Sequence, residues 1–219
     1  MINWPLLIQS MPALLQGCLV NLQITFGACL IGFCGGVPLA FWERSGNRML
    51  RSFAICYSTL FRGTPMVVQI MFAYYVLPQL GLSLPPLLAV IVAIGMNSAA
   101  YLSQILRAGL ESIPKTQLQA AQALGMNSFQ AYRYILFPQA LRNVLPALGN
   151  EGITLLKDSS LASIVGVMEI VKVGSIIRGR TFEALTVLVG VAIVYLVLVS
   201  LLTWLTKICE SWSKKSCSV

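Results

Sequence analysis

Five long apolar runs, each ended by a polar or proline-bearing break, dominate the chain: Leu14–Phe41, Phe53–Leu77, Leu87–Leu110, Ala140–Leu156 and Leu185–Thr206. A run of ~20 mostly apolar residues crosses ~30 Å of hydrocarbon as one helix, so the pattern predicts five transmembrane helices. Gly27, Gly32, Gly35 and Gly36 in the first run predict a surface on which another helix packs closely. The second run is interrupted by Arg62-Gly63-Thr64-Pro65, which predicts a broken helix.

The breaks between runs set the orientation, because Lys and Arg bias short loops towards the cytoplasm. Arg44, Arg48 and Arg51 stand against the single acid Glu43, so the first span runs outside to inside and the amino terminus lies outside. No Lys or Arg precedes that span, which argues against a cleaved signal peptide. The uncharged Pro78–Pro86 loop returns outside, and the polar stretch carrying Lys115, Arg133 and Arg142 is cytoplasmic. The 157–180 segment falls outside, mildly against the rule, with Lys157, Lys172, Arg178 and Arg180 opposing Asp158 and Glu169; Lys207, Lys214 and Lys215 return the carboxyl terminus to the cytoplasm. The expectation is one membrane domain over residues 1–219.

Composition removes whole classes of function. Of 219 residues, 57% are hydrophobic and 10% are charged, against roughly 25% charged in soluble domains, which excludes a water-soluble enzyme. No histidine is present, so zinc sites, Ser–His triads and Cys–His dyads lack their raw material. Cys18, Cys29, Cys34, Cys56, Cys209 and Cys217 form no Cys-x-x-Cys pair and are expected to be packing residues. The fifteen Lys and Arg behind the net charge of +8 are dispersed, which suits membrane topology and not nucleic-acid binding. No Gly-x-x-x-x-Gly-Lys-Ser/Thr segment occurs, so nucleotide phosphates have no loop to rest in and any energy comes from a partner.

Between the third and fourth runs stands Gln119-Ala120-Ala121-Gln122-Ala123-Leu124-Gly125, followed nine residues later by Ile135-Leu136-Phe137-Pro138. Ser112 or Pro114 can start a short helix here, Gly125 can end it in a left-handed conformation, and Asn127 or Ser128 can cap a second. Such a small-residue helix suits a groove on another protein. The segment, about residues 115–138, resembles the hallmark of bacterial ATP-binding-cassette importer membrane subunits, Glu-Ala-Ala-x-x-x-Gly, nine residues, then Ile-x-Leu-Pro. Gln119 stands where that family has Glu, and Phe137 where it has Leu. Phe61-Arg62-Gly63-Thr64-Pro65, Ala99-Ala100-Tyr101, Arg107-Ala108-Gly109, Pro138-Gln139-Ala140-Leu141-Arg142 and Lys157-Asp158-Ser159-Ser160-Leu161 narrow the resemblance to the polar amino acid permeases.

The resemblance implies an all-α integral membrane protein with the type I importer permease fold: five transmembrane helices and a cytoplasmic coupling helix, in the bacterial cytoplasmic membrane. Gln119, Ala120, Ala121, Gly125, Ile135 and Pro138 would couple it to the ATPase. Implied partners are two ATPase subunits, which bind the ATP and Mg that this chain does not, a second copy or a similar permease chain, an external solute-binding protein, an amino acid and lipid. A permease for methionine or another small solute is an alternative; a non-transporting assembly subunit is a second.

Charges at bilayer depth cost roughly 2.5–3.5 kcal/mol at a helix centre and call for partners or water. Arg62, beside freed backbone groups at Gly63 and Thr64, either lines the solute pathway or pairs with Glu151 or Asp158. Asp158 and Ser159 follow Lys157 and offer groups that match a zwitterion, Asp158 for the ammonium, and Thr64 or Ser159 for the carboxylate. Asn97 and Gln104, seven residues apart, share one helix face and either reach the pathway or bond between helices. Glu151 either meets solute or pairs with Arg62 or Lys157.

Overall fold

The structure, a computed structural model, describes residues 2–215, with side chains as far as Ser211; Cys217 and the side chains of Lys214 and Lys215 lie outside the described residues. The first apolar run is the core of α1, Trp4–Glu43, which starts ten residues before the run because Asn3 caps it: the Asn3 side chain accepts the Leu6 amide at 3.2 Å. A tight turn leads to α2, Arg48–Gly63, capped by Asn47. The expected break follows at Thr64-Pro65, and the chain resumes as α3, Met66–Met71, then as a π-helical turn, Phe72–Val76, and a 3-10 turn, Leu77–Leu80. These two halves of the second run bend by 104°.

The third run is α4, Pro86–Glu111. The polar stretch contains α5, Lys115–Ala123, and α6, Ser128–Ala131; a second π turn, Tyr132–Leu136, runs into α7, Phe137–Asp158. A 3-10 turn, Ser159–Val165, then leads to α8, Ile170–Thr181, bent 48° from the segment before it, and α9, Ala184–Lys215, is the last described element. Both π turns lie just upstream of a proline, Pro78 and Pro138. A proline ring clashes with the carbonyl four residues back and supplies no N–H, and widening the turn relieves both problems. Among the described residues, three helices, α1, α4 and α9, are long and apolar enough to cross a membrane; counting each bent pair as one crossing gives five.

The bundle is inside-out relative to a soluble protein. Large apolar side chains such as Leu19, Phe26, Leu196 and Trp204 face outward, whereas Asn21, Ser98, Ser103 and Thr186 are fully buried. Hydrocarbon solvates leucine as well as a core does, so small and polar groups hold the helices together. α4 is the central element: 61% of its apolar window is buried, against 33% in α1 and 28% in α9. Its closest partner is α1, and glycines on both helices make that approach possible. A Cβ on Gly36 would stand 2.8 Å from Leu102 Cβ and 3.0 Å from the Ala99 carbonyl, and one on Gly95 would stand 2.6 Å from Ile31 Cβ. Ile24, Ala28, Ile70, Val90, Ile94 and Leu155 form the main apolar core where α1, α3, α4 and α7 meet.

Candidate functional site

The break in the second span stands against one side of α4. Asn97, Ser98 and Tyr101 lie within one turn of that helix and serve three different neighbours. Asn97 Nδ2 donates to the Phe61 carbonyl at 2.8 Å and to Gln69 Oε1 at 3.1 Å, so Asn97 bonds between helices. Ser98 Oγ donates to Glu151 on α7 at 2.9 Å. The Arg62 guanidinium lies 5.4 Å from the centroid of the Tyr101 ring, a cation–π contact. Arg62 is exposed and makes no ion pair with Glu151 or Asp158; among the described residues ion pairs form only at Arg107, with Glu43 and Glu111. The alternative in which Arg62 ties spans together through these acids is thereby removed, as is pairing of Glu151 with Lys157.

Glu151 and Asp158 are seven residues apart on α7, two helical turns, and therefore point the same way. Both are partly exposed, and neither has a Lys or Arg nitrogen within 4.0 Å among the described residues. Their neighbour Ser159 is different. It is fully buried, donates to the Leu156 carbonyl at 2.7 Å and accepts from Asn21 at 2.6 Å. Its hydroxyl is therefore spent inside the bundle, because the 3-10 turn that follows Asp158 rotates it towards α1. Thr64 is partly committed too: its hydroxyl donates to the Leu60 carbonyl at 2.9 Å, which leaves it only acceptor capacity. Gly63 meets nothing within 4 Å and has no positive φ, so neither space nor backbone demands glycine there.

Two polar clusters escaped the sequence reading. Asn21, Ser159, Glu169 and Tyr195 form a buried network in which Asn21 donates to Tyr195 at 2.9 Å and accepts from the Ile170 amide at 3.1 Å. Glu169 caps α8 by accepting the Val171 and Lys172 amides at 2.8 and 2.7 Å. At the opposite end of the bundle, Glu43 is 7% exposed and accepts from Ser58 at 3.0 Å, from Gln104 at 2.7 and 2.9 Å and from Arg107 at 3.1 Å. Gln104 thus braces α1 against α4 and does not share the surroundings of Asn97. The available signal was a side-chain amide within an apolar run, as at Asn21 and Gln69, though Gln16 and Gln23 share the run of Asn21.

The short helices between α4 and α7 present a second surface. Gly125 has φ +81° and ends α5 as expected, while Asn127 and Gln130 form a reciprocal capping box on α6. Ser112 does not start α5; its hydroxyl turns back to the Gly109 carbonyl and accepts from Asn143 of α7. Gln119 and Ala120 are exposed, but Ala121 is 1% exposed, because Leu118 and Ala121 share the inner face of α5. Ile135 is half-buried and Pro138 is exposed. The outward apolar side chains are Leu124, Phe129, Tyr132 and Tyr134, at 82%, 74%, 39% and 66% exposure. The alanine motif marks the helix and its packing, and these larger side chains supply area for a partner.

A bundle of long apolar helices, one span broken at a charged corner and a polar helical projection at one end define a multi-pass transport subunit. Residues 32–215 match the binding-protein-dependent transport system inner membrane component family, and the chain belongs to that family. It is 38% identical over 200 residues to the probable amino-acid permease protein YxeN of Bacillus subtilis, covering 90% of this chain and 89% of that one. It is 37% identical over 204 residues to the arginine transport system permease protein ArtQ of the same organism, covering 93% of each, and 36% identical over 217 residues to the nopaline transport system permease protein NocM of Agrobacterium fabrum, covering 94% and 90%. The fold matches the crystal structure of an amino acid ABC transporter with histidines, with a TM-score of 0.91 and 32% identity over 96% of this chain and 99% of that one.

Proposed function

We propose that this chain is the permease subunit of an ATP-driven importer for polar amino acids, and that its pathway favours a solute bearing positive charge. The observation that carries the second part is the pair Glu151 and Asp158: two carboxylates aim from one face of α7 with no basic partner within 4.0 Å among the described residues. Glu151 within the span is served by the Ser98 hydroxyl and by no cation, and a cationic solute supplies the missing charge in passing. Arg62, stacked on Tyr101 at the break, is the group for the solute carboxylate, with Asp158 for an ammonium. The relatives include an arginine permease, whose name agrees with this reading, and also glutamine permeases, so the names alone do not choose the solute.

The α5–α6 projection with Leu124, Phe129, Tyr132 and Tyr134 docks on an ATPase subunit, two of which bind ATP and Mg. A second permease chain completes the pathway, and an extracytoplasmic binding protein delivers solute. The amino terminus lies outside and the carboxyl terminus in the cytoplasm of a multi-pass inner-membrane protein. The test is uptake of labelled arginine, lysine, glutamine and glutamate by the assembled transporter in vesicles. Arginine and lysine uptake should exceed that of glutamate, and Asp158→Asn should abolish solute-stimulated ATPase while the complex still assembles. Wild-type uptake by Asp158→Asn would refute the role of that residue.

A further inference from the structure

We infer that Gln69, held by Asn97, is a positioning residue of the pathway: its side-chain amide replaces the backbone donor lost at Pro65 and sets the angle at which Arg62 and Thr64 are presented. In a continuous helix the Phe61 carbonyl accepts from the amide four residues on. Residue 65 is proline, which has none. The Thr64 carbonyl is also released, because Thr64 is extended at φ −114°, ψ 142° and the Val68 amide turns to Pro65 instead, at 3.0 Å. The Phe61 and Thr64 carbonyls are therefore among those that the break releases from helical pairing.

Gln69 answers both. Its Nε2 lies 2.8 Å from the Phe61 carbonyl, 3.0 Å from the Thr64 carbonyl and 2.8 Å from Thr64 Oγ1, so two N–H protons serve three acceptors. Asn97 adds a second donor to the Phe61 carbonyl at 2.8 Å and holds Gln69 Oε1 at 3.1 Å. One amide from α3 and one from α4 thus stitch the end of α2 in place. Packing anchors α3 through Ile70 and Met66, but at the corner itself Gly63 has no neighbour within 4 Å of a Cβ position and Arg62 and Thr64 are exposed. There the hydrogen bonds of Gln69 and Asn97 tie the end of α2 to α3 and α4 across the 104° bend. The link from the clamp to transport rests on the pathway reading above; the clamp itself does not.

The experiment uses the assembled transporter in vesicles, with native cysteines replaced by serine and spin labels on Ile55→Cys in α2 and Met71→Cys in α3, both exposed positions. In the parent protein the distance distribution between them should be narrow. Gln69→Leu, Gln69→Met and Asn97→Leu should broaden it, raise the half-saturating concentration of labelled arginine at least five-fold, and leave ATP turnover without solute within two-fold. An unchanged distribution in whichever of these variants assembles overturns the clamp. A broadened distribution with unchanged half-saturation upholds the clamp and takes Arg62 and Thr64 out of the pathway. Absence of arginine uptake by the parent defeats the pathway reading, while the distances still decide the clamp.

Discussion

Arg107 Nη1 lies 3.1 Å from a Glu43 carboxylate oxygen across the seam between α1 and α4, although 64 residues separate them in sequence. The two partners are unequal: the Glu43 side chain is 2% exposed and that of Arg107 is 40% exposed. Removing the carboxylate strands the Ser58 and Gln104 donors in the interior, whereas removing Arg107 exposes a group that other donors still serve. Glu43→Ala should therefore cost about 2–3 kcal/mol of stability and Arg107→Ala only about 1 kcal/mol or less. Thermal unfolding of the detergent-purified protein checks the order, and equal losses would contradict it.

The glycines divide by surroundings. Gly36→Ala pushes a methyl group into Leu102 and the Ala99 carbonyl, at distances that real Cβ atoms do not tolerate without movement. Overpacking of this kind costs about 1–3 kcal/mol. Gly63→Ala meets open space at an ordinary backbone angle, so the same measurement should show a change within about 1 kcal/mol of zero.

Ser159 and Asn21 hold the bundle, with their polar groups bonded in the interior. Asn21→Leu removes donors to Ser159 and Tyr195 and the acceptor for the Ile170 amide, all in the interior. Its cost should be about 2 kcal/mol or more. Ser159→Ala should lower the unfolding temperature while leaving half-saturation for arginine unchanged; a change confined to half-saturation would return Ser159 to the pathway.

The proposed docking of the α5–α6 projection would draw on its large side chains. Leu124→Ser combined with Phe129→Ser should reduce co-purification of the ATPase several-fold, because both side chains are more than 70% exposed and contribute apolar contact area. Gln119→Glu, which restores the family residue at an exposed position, should change it little.

Much of the architecture was legible in the sequence because a bilayer demands it: apolar runs long enough to cross had to become helices, and Gly63-Thr64-Pro65 had to interrupt one. The left-handed Gly125 and the Asn127 cap followed from local chemistry alone. What healed the interruption did not, since Gln69 and Asn97 meet Phe61 from 8 and 36 residues away. Glu43 read as the acid of a basic loop, yet it closes the end of α1, because that helix runs two residues past its apolar stretch and turns the carboxylate inward. Ser159 read as available next to Asp158, and only the change to a 3-10 turn decides that it is not.

The wide turn at Tyr132–Leu136 abuts α7 directly. Each residue of a helix advances the direction of its side chains by roughly 100°. The azimuth of every group on α7, Glu151 and Asp158 included, is therefore tuned by the number of residues wound into that one loose coil. Excising Tyr134 would swivel Glu151 away from Ser98, and Asp158 with it, without altering either of them, so the compass bearing of the acids is written upstream of the helix that carries them.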